Sequence, residues 1–481
     1  MPANSKSEYY KRYFPEWEKI KTVLEGELAI KLAGVQYLPK LSGQTQAEYL
    51  AYLQRGSFFN ATHRTIQGLT GAIIRKEPKI EADKLILDKL AMITIDDDPI
   101  EELIRKTVEE VMGFGYCGLL VDMPNKGNTA ITDPYIAFYS CFDIYNFRTA
   151  KINGEDTLIM ITLAEARFTP KPDDEFETEK EDLIRCLYLD AGDGNKYKQQ
   201  LWKKVKKLAA TKEEWVKDGE EITPMVRGMP LTEIPFIFIN STSNSPIPTK
   251  PPSSDLADLN VKHWQLSVDY YHGLHYCAMP TPWAAGFTTK AELYIGAQKA
   301  WVTEEPQARC GYLEFTGQGI GAIEKALNKV ETLMAVIGAR LLEEQKKVGE
   351  AAETIKLRAS GDTATLSSIV SAVERGIQRA IDIVIEWMAS TGKARISMNR
   401  DFVSERLGFQ DITALLQAVQ AGQISQDTFL YNLQVGEILP PDRTIDKEKQ
   451  LIQSEAPPPT PPGGPGDEEG NVFPQNNRRA R

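Results

Sequence analysis

Cysteine and histidine are scarce in this 481-residue sequence, and each shortage narrows its chemistry. The five cysteines, Cys117, Cys141, Cys186, Cys277 and Cys310, are odd in number, widely spaced and never in a C-x-x-C pair. That pattern fits a reducing compartment and buried thiols, and it excludes a cysteine-based structural zinc. No P-loop is present, so ATP hydrolysis of that type is not encoded. No Gly-x-Ser-x-Gly elbow occurs either, and the four histidines, His63, His263, His272 and His275, all fall in helical patterns. Apolar runs are short: even Ile381 to Met388 carries Asp382 and Glu386, far from a membrane span. The first eleven residues are polar, so no signal peptide is expected. Basic residues are in deficit, and a formal net charge of -11 argues against wrapping nucleic acid by broad phosphate neutralisation. A channel through which nucleic acid slides remains compatible with that charge.

What is present is the composition of a soluble globular protein, 42% hydrophobic and 26% charged, in a chain too long for one compact core. Its organising stretch runs from Gly317 to Met388. Ile323, Leu327, Val330, Met334, Ile337, Leu341 and Val348 keep a heptad-like spacing, the stripe of a helix that packs along its whole length. After a polar break, Leu366, Ile369, Val370, Val373, Ile377, Ile381, Val384 and Met388 define a second helical face.

Earlier in the chain, Glu8 to Ile30 reads as one helix anchored by Tyr9, Phe14 and Trp17. Gln44 to Ile74 is a longer helical pattern with a break or close packing expected at its glycines Gly56, Gly68 and Gly71. In Asp96-Asp97-Asp98-Pro99 the carboxylates suit a helix start better than a metal site, with Asp98 as N-cap, Pro99 at the first helical position and Glu101 completing a capping box. Strands of a mixed sheet are expected at Tyr116 to Met123, Tyr135 to Ser140, Thr157 to Ala164, Ile184 to Leu189, Tyr197 to Val205 and Pro235 to Ile239, with Lys171 to Asp182 a charged surface connection. Residues 1 to about 245 thus read as an α+β domain, closed by the Pro-rich hinge Ser245 to Pro252.

Beyond the hinge, Ser253, Ser254 and Asp255 supply a helix cap. The helix that follows carries Leu256, Leu259, His263, Leu266, Tyr270, Leu274 and Cys277 on one stripe. Met279 to Gly319 breaks the pattern, with strand candidates at Trp283 to Phe287 and Tyr312 to Phe315 and a short helix at Ala291 to Lys299. Two long helices flanking a compact excursion form an antiparallel hairpin with a small tip. Such a hairpin cannot bury both stripes alone, so lateral association with copies of itself is expected, and a heterologous contact that closes makes a ring. A strand at Ala394 to Met398 and helices at Asp411 to Ala421 (capped by Asp411), Ser425 to Leu433 and Ile445 to Gln453 follow, then a Pro- and Gly-rich tail expected to be disordered.

Three constellations bear on chemistry. The turn Gly317-Gln318-Gly319-Ile320-Gly321 imitates a dinucleotide fingerprint, but its glycines sit at motif positions 1, 3 and 5 where 1, 3 and 6 are needed, and no βαβ unit surrounds it. A flexible lead into the helix is the better reading. His272 and His275, one turn apart, offer two metal ligands but lack an adjacent acid and a third ligand. Lys346, Lys347, Glu350, Glu353, Lys356 and Arg358 crowd the break between the long helices, either as a solvated loop or as cations that meet a passing polyanion.

Several stretches, in order, resemble portal proteins, the head-to-tail connectors of tailed double-stranded DNA bacteriophages. They are Tyr37-Leu38-Pro39, Arg64 to Pro78 (RTIQGLTGAIIRKEP), Gly115 to Pro124 (GYCGLLVDMP), Pro134 to Arg148 (PYIAFYSCFDIYNFR), the Asp255 to Asn260 helix start, and Tyr312 to Leu342 with its GQGIGA turn. The resemblance spans most of residues 37 to 390. It implies a multi-domain α+β subunit of a ring, usually dodecameric, around an axial DNA channel. Residues 1–252 would be an α/β wing, 253–278 and 320–347 two stem helices, 279–319 a small α/β clip and 348–362 a tunnel loop. Residues 363–410 would be the long wing helix and strand, 411–455 a helical crown and 456–481 a tail. Stem packing would fall to Leu256, Leu259, Leu266, Leu274, Ile323, Leu327, Val330, Met334, Ile337 and Leu341, and DNA contact to Lys346, Lys347, Lys356 and Arg358. The implied partners are other copies of the chain, double-stranded DNA, the major capsid protein, the large terminase subunit, which hydrolyses the ATP, and a head-to-tail adaptor. The implied location is the portal vertex of a virion made in a bacterial cytoplasm, with no membrane, cofactor or catalytic residue. The other readings are a nucleotide- or metal-dependent enzyme using Gly317 to Gly321 or His272/His275, and a helical scaffold without DNA contact.

Overall fold

The computed structural model of the protein describes residues 3–123, 133–171, 173–206, 213–278, 281–287, 301–313, 318–339, 352–388, 390–400, 402, 409–435, 438–439 and 443–455, with the backbone alone at 352–365. The chain divides into two units, residues 1–402 and 403–481.

The expected N-terminal helix is two, α1 (Glu8–Glu25) and α2 (Glu27–Ala33), because Gly26 between them takes φ +93°, a conformation that side chains disfavour. The long pattern after it is also split, into α3 (Gln46–Arg55) and α4 (Ala61–Ile74). Asn60 joins the two breaks: its Nδ2 donates to the Val23 and Leu24 carbonyls at 2.8 and 3.2 Å, and its Oδ1 caps α4 by accepting from His63 N at 3.0 Å. Strand β1 (Lys79–Ala82), α5 (Lys84–Leu90) and α6 (Ile100–Phe114) follow. The start of α6 departs from expectation by one residue. Pro99 is the N-cap with no side-chain cap bond, Asp97 takes φ 62° and the Asp98 N–H is held by Thr94 Oγ1 at 2.8 Å, so no capping box forms. Thr94, in the preceding turn, thus takes the Asp98 N–H that Glu101 would have taken in a capping box.

The strands form two main sheets, and both are antiparallel, not mixed. After β2 (Tyr116–Asp122) and β3 (Tyr135–Ser140) the chain runs through β4 (Ile144–Ile152), β5 (Glu155–Lys171), β6 (Asp174–Asp190), β7 (Lys196–Lys206) and β8 (Glu213–Ile222), the two-residue pair β9 (Met225–Val226) and β10 (Met229–Pro230), and β11 (Phe236–Asn240). The first sheet, ordered β11-β2-β3, lies between two cores, and its strands show the period of two. Cys117, Leu119, Val121, Ile237 and Ile239 face an aliphatic core built with α6 and the long helix described below, while Tyr116, Leu120, Phe236 and Phe238 face an aromatic core around Trp17. Being buried on both faces, β2 carries no charge from Tyr116 to Val121, and its one carboxylate, Asp122, comes at the end.

The second sheet, β4-β5-β6-β7-β8, contains two strands with no counterpart in the sequence reading, β4 and β8, whose charged residues, and in β8 also Gly219, hide the alternation. It also corrects the connection expected at Lys171 to Asp182. β5 continues to Lys171 and β6 starts at Asp174, so these charged residues are strand. Charge signals solvent exposure, and here the exposed element is a strand pair.

Past the hinge come α7 (Ser254–Ala278), β12 (Thr281–Ala285), β13 (Arg309–Leu313), α8 (Gln318–Met334) with a π-helical turn at Ala335–Ala339, α9 (Ala352–Trp387) and β14 (Ala394–Ser397), which pairs with β1. The hinge is fastened, not loose: Tyr116 Oη donates to the Pro246 carbonyl at 2.8 Å and Ser253 Oγ to the Gly113 carbonyl at 2.6 Å. The largest departure is at α9. Residues 352–362, read as the end of a loop, are helical, as the strong helix formers in Ala352-Glu353-Thr354-Ile355-Lys356-Leu357-Arg358 allow, with Gly361 a tolerated weak point. From Leu366 on, the expected stripe is buried in the aliphatic core: Ile369, Val370, Val373, Ile377 and Ile381 are inaccessible to solvent.

In the second unit, α10 (Phe409–Gln420), α11 (Gln426–Val435) and α12 (Ile445–Glu455) stand where three helices were expected. Ser425 Oγ caps α11, accepting from Thr428 N at 3.1 Å, whereas α10 starts two residues before Asp411, which is therefore not its cap. Lys449 bridges α12 to Asp427 on α11 at 2.7 Å. The expected disordered tail, 456–481, and the short helix expected at 291–299 lie outside the described residues.

Candidate functional site

The hairpin of α7 and α8 is the most distinctive assembly in the chain, and its two halves are held differently. In its first half α7 sits inside the aromatic core. Ala257, Val261, Trp264 and Val268, spaced 4-3-4, are buried in that core beside Tyr52, Leu53 and Phe58. The sequence reading missed this second stripe, because Asn260 and Ser267 are interleaved with it. Both polar residues are buried and satisfied by the α3–α4 connection. Asn260 Oδ1 accepts from Thr62 N and Oγ1, each at 3.0 Å, its Nδ2 donates to the Phe59 carbonyl at 2.8 Å, and Ser267 Oγ donates to the Ser57 carbonyl at 2.8 Å. Gly56 is required where α7 crosses, since a Cβ there would collide with Val268. Leu256 is therefore buried within the chain itself, and only Leu259, Leu266 and Leu274 stay half-buried.

Helix α8 lies along α7, with Ile320 against Gly273. Of the expected stripe, Leu327 and Met334 are buried, Ile323 and Val330 half-buried, and Ile337 is 50% exposed; Leu341 lies outside the described residues. Buried His263 on α7 is tied through Nε2 to Glu331 Oε1 on α8 at 3.0 Å. On the outer flank Leu333, Val336 and Ile337 are exposed in succession, and Tyr271 and Tyr276 are exposed on α7. At the tip, β12 begins two residues before the expected Trp283 and β13 three before the expected Tyr312, and they pair Thr281 with Leu313 through Ala285 with Arg309. Trp283, Tyr312 and Leu313 are exposed, and so is Cys310, against the expectation of uniformly buried thiols.

The side chains of the four cations expected to meet DNA all lie outside what the structure describes. Lys346 and Lys347 lie outside the described residues, and Lys356 and Arg358 fall on the backbone of α9. Of the glycine turn, Gly317 lies outside the described residues. α8 begins at Gln318, so Gly319 and Gly321 belong to its first turn, and neither has a neighbour within 4 Å of a Cβ position. His272 packs edge-on against Tyr52, and its Nδ1 is 3.2 Å from Arg55 Nη1. Burial, then the Arg55 guanidinium and His275, lower its pKa, and a guanidinium neighbour opposes a cationic ligand.

Elsewhere, an ion-pair network clamps the two sheets. Arg185 on β6 reaches Glu165 on β5 at 2.6 Å, Asp122 on β2 at 3.2 Å and Gln199 on β7 at 3.0 Å. Burial raises the Asp122 pKa while Arg185 opposes that rise. A cavity of about 810 Å³ lies between β4, β5, β11 and α9, lined by Ile152, Leu158, Phe236, Phe238, Glu233 and Arg379 among others. Among the described lining residues the one cation, Arg379, is bridged to Glu233 at 3.2 Å, and the carboxylates Glu155, Asp156 and Glu233 stand beside no cysteine, histidine or serine.

A family model described as a domain of unknown function, DUF4055, matches residues 252–388, the span from the last hinge proline through α9. No curated protein matches the chain. Among solved structures, a chain from the neck of an empty gene transfer agent particle computed with C6 symmetry is 10% identical at TM-score 0.37, over 82% of this chain and 96% of that one. A chain from the virion of a native gene transfer agent particle is 12% identical at TM-score 0.37, over 85% and 98%. One from the native neck computed with C12 symmetry is 11% identical at TM-score 0.36, over 84% and 98%. TM-scores below 0.5 do not establish a common fold.

Proposed function

We propose that this chain is one subunit of a homo-oligomeric portal ring, a non-enzymatic conduit for double-stranded DNA at one vertex of a tailed-phage-type capsid. The observation that carries the reading is the hairpin. α7 is rooted in the aromatic core, α8 is fastened to it, and the outer flank at Leu333, Val336 and Ile337 is left bare. A bare apolar flank beside a differently built α7 surface favours a head-to-tail contact between copies, which closes into a ring. The ordered sequence resemblance supplies the identity of that ring. In it, β12 and β13 form the clip that meets the terminase and later the adaptor, the first unit's sheets and α9 form the wing against the capsid protein, α10 to α12 form the crown, and Lys346, Lys347, Lys356 and Arg358 meet the moving DNA.

Electron microscopy of the purified protein tests the ring: closed particles with a central hole are expected, and a strict monomer across salt and concentration refutes it. The DNA role has its own test. Reversing the four cations to glutamate is expected to impair packaging while rings persist, and unchanged packaging removes them from the mechanism.

A further inference from the structure

The second sheet carries an arm that its own chain does not cover. β4 pairs with β5 only as far as Leu163, and β7 pairs with β6 only from Leu183. Residues 166–171 and 174–182 therefore pair with each other alone, from Ala166 with Asp182 to Pro170 with Thr178. Nearly every described side chain on this ribbon is exposed, including Phe168 at 64% and Phe176 at 90%. A two-stranded ribbon by itself is marginal in water, and its open edges are templates for another strand.

The arm is also strongly acidic, with seven carboxylates against three cations between Ala166 and Asp182. Its cations are already engaged within the chain, Arg167 with Glu181 and Asp218, Lys171 with Glu177 and Lys180 with Asp182. Asp173, Asp174 and Glu179 have no cationic partner among the described residues.

The same sheet has two outer edges that could receive a strand. β8 is acidic, with Glu213, Glu214, Asp218, Glu220 and Glu221, and would repel the arm. β4 is the opposite, carrying Arg148 and Lys151 and no acid. Its Tyr145 carbonyl already takes the Ser7 N–H at 2.8 Å and Phe147 stacks on Tyr9, so the open part of the edge begins at Arg148. A register shift at Arg148/Thr149 and the edge cations are devices that block pairing between like edges, and an acidic strand is what neutralises them.

We propose that the β5–β6 arm of one subunit docks on the β4 edge, Arg148 to Ile152, of a second copy of this chain, as an acid-to-base strap between neighbours. The contact is heterologous, because arm and edge are different surfaces, so it propagates around a ring and rests on the ring reading above.

Mass photometry across a dilution series tests it with three proteins: wild type, the arm reversal Asp173→Lys/Asp174→Lys/Glu179→Lys, and that reversal combined with Arg148→Glu/Lys151→Glu. The substitutions are on exposed positions, and unchanged urea midpoints verify the fold. The arm reversal is expected to raise the half-assembly concentration about tenfold or more, and the combined protein to regain most of that loss. A wild-type ring indifferent to the arm reversal, or a combined protein no better than the arm reversal, overturns the strap and leaves the ring standing. A wild type that never leaves the monomer overturns both.

Discussion

Replacing Glu110 with glutamine removes a pH dependence that burial imposes on the first unit. Glu110 lies on α6 beneath the end of β3, where its Oε1 accepts the Cys141 N–H at 3.2 Å. Burial pushes its pKa up to about 7, with the Asp143 carboxylate adding to the rise and the Cys141 N–H and Ser140 opposing it. A glutamate in the unfolded chain titrates near 4.5. Below that value the group is protonated in both states and the folded chain loses nothing. Between about 4.5 and about 7 the unfolded chain ionises first and stability falls, and above about 7 the loss is complete, at about 3 kcal/mol. Glutamine keeps the acceptor oxygen and cannot ionise. The Glu110→Gln protein is therefore expected to be about 1 kcal/mol more stable than wild type at pH 5 and about 3 kcal/mol more stable at pH 8. Urea titrations followed by tryptophan fluorescence at micromolar protein would read this as a midpoint displacement that grows to roughly 1 M at pH 8. A displacement that is the same at both pH values, or absent, would refute the reasoning.

Other expectations concern packing. Gly376→Ala places a Cβ 2.5 and 2.6 Å from Cδ1 and Cγ1 of fully buried Ile239, so α9 should be pushed off β11 at a net cost of about 1 kcal/mol after the helix-propensity gain, measured as a lower urea midpoint. Trp264→Ala empties the site where α7 meets the aromatic core and should cost about 3–5 kcal/mol by the same measurement. Arg185→Ala strands the carboxylates of Asp122 and Glu165 and should cost about 3–5 kcal/mol near neutral pH; a loss below about 1 kcal/mol would show that the clamp is not needed. Ile337→Ser alters an exposed position, so the urea midpoint should hold while the ring population seen by mass photometry falls; an unchanged population would take the α8 flank out of the contact.

Long, strongly periodic elements were legible because one face of each is uniformly apolar. The α9 stripe from Leu366 to Ile381, the α8 stripe at Leu327 and Met334, and the fully buried β2 all lie where the spacing puts them. Breaks set by one residue's backbone were not. Gly26 divides α1 from α2, and Asn60, far along the chain, donates its Nδ2 to the Val23 and Leu24 carbonyls at that break. The long arm of β5 and β6 was hidden for a related reason, since its alternating charges carry no hydrophobic period and only backbone pairing declares it a strand.

For the candidate site, the sequence alone determined that two long helices flank a tip and that a third follows, because helical spacing is a local property written every three or four residues. Which surface covers each stripe is a long-range matter, and only the tertiary structure decided it. α7 turns its Trp264 side, not its heptad side, into the core, because Asn260 and Ser267 find partners on the α3–α4 connection and Gly56 lets the helix approach. What remains bare after that choice, the α8 flank and the acidic arm, is set by packing among distant segments: the spacing foretold that the hairpin leaves apolar surface uncovered, but not which residues carry it.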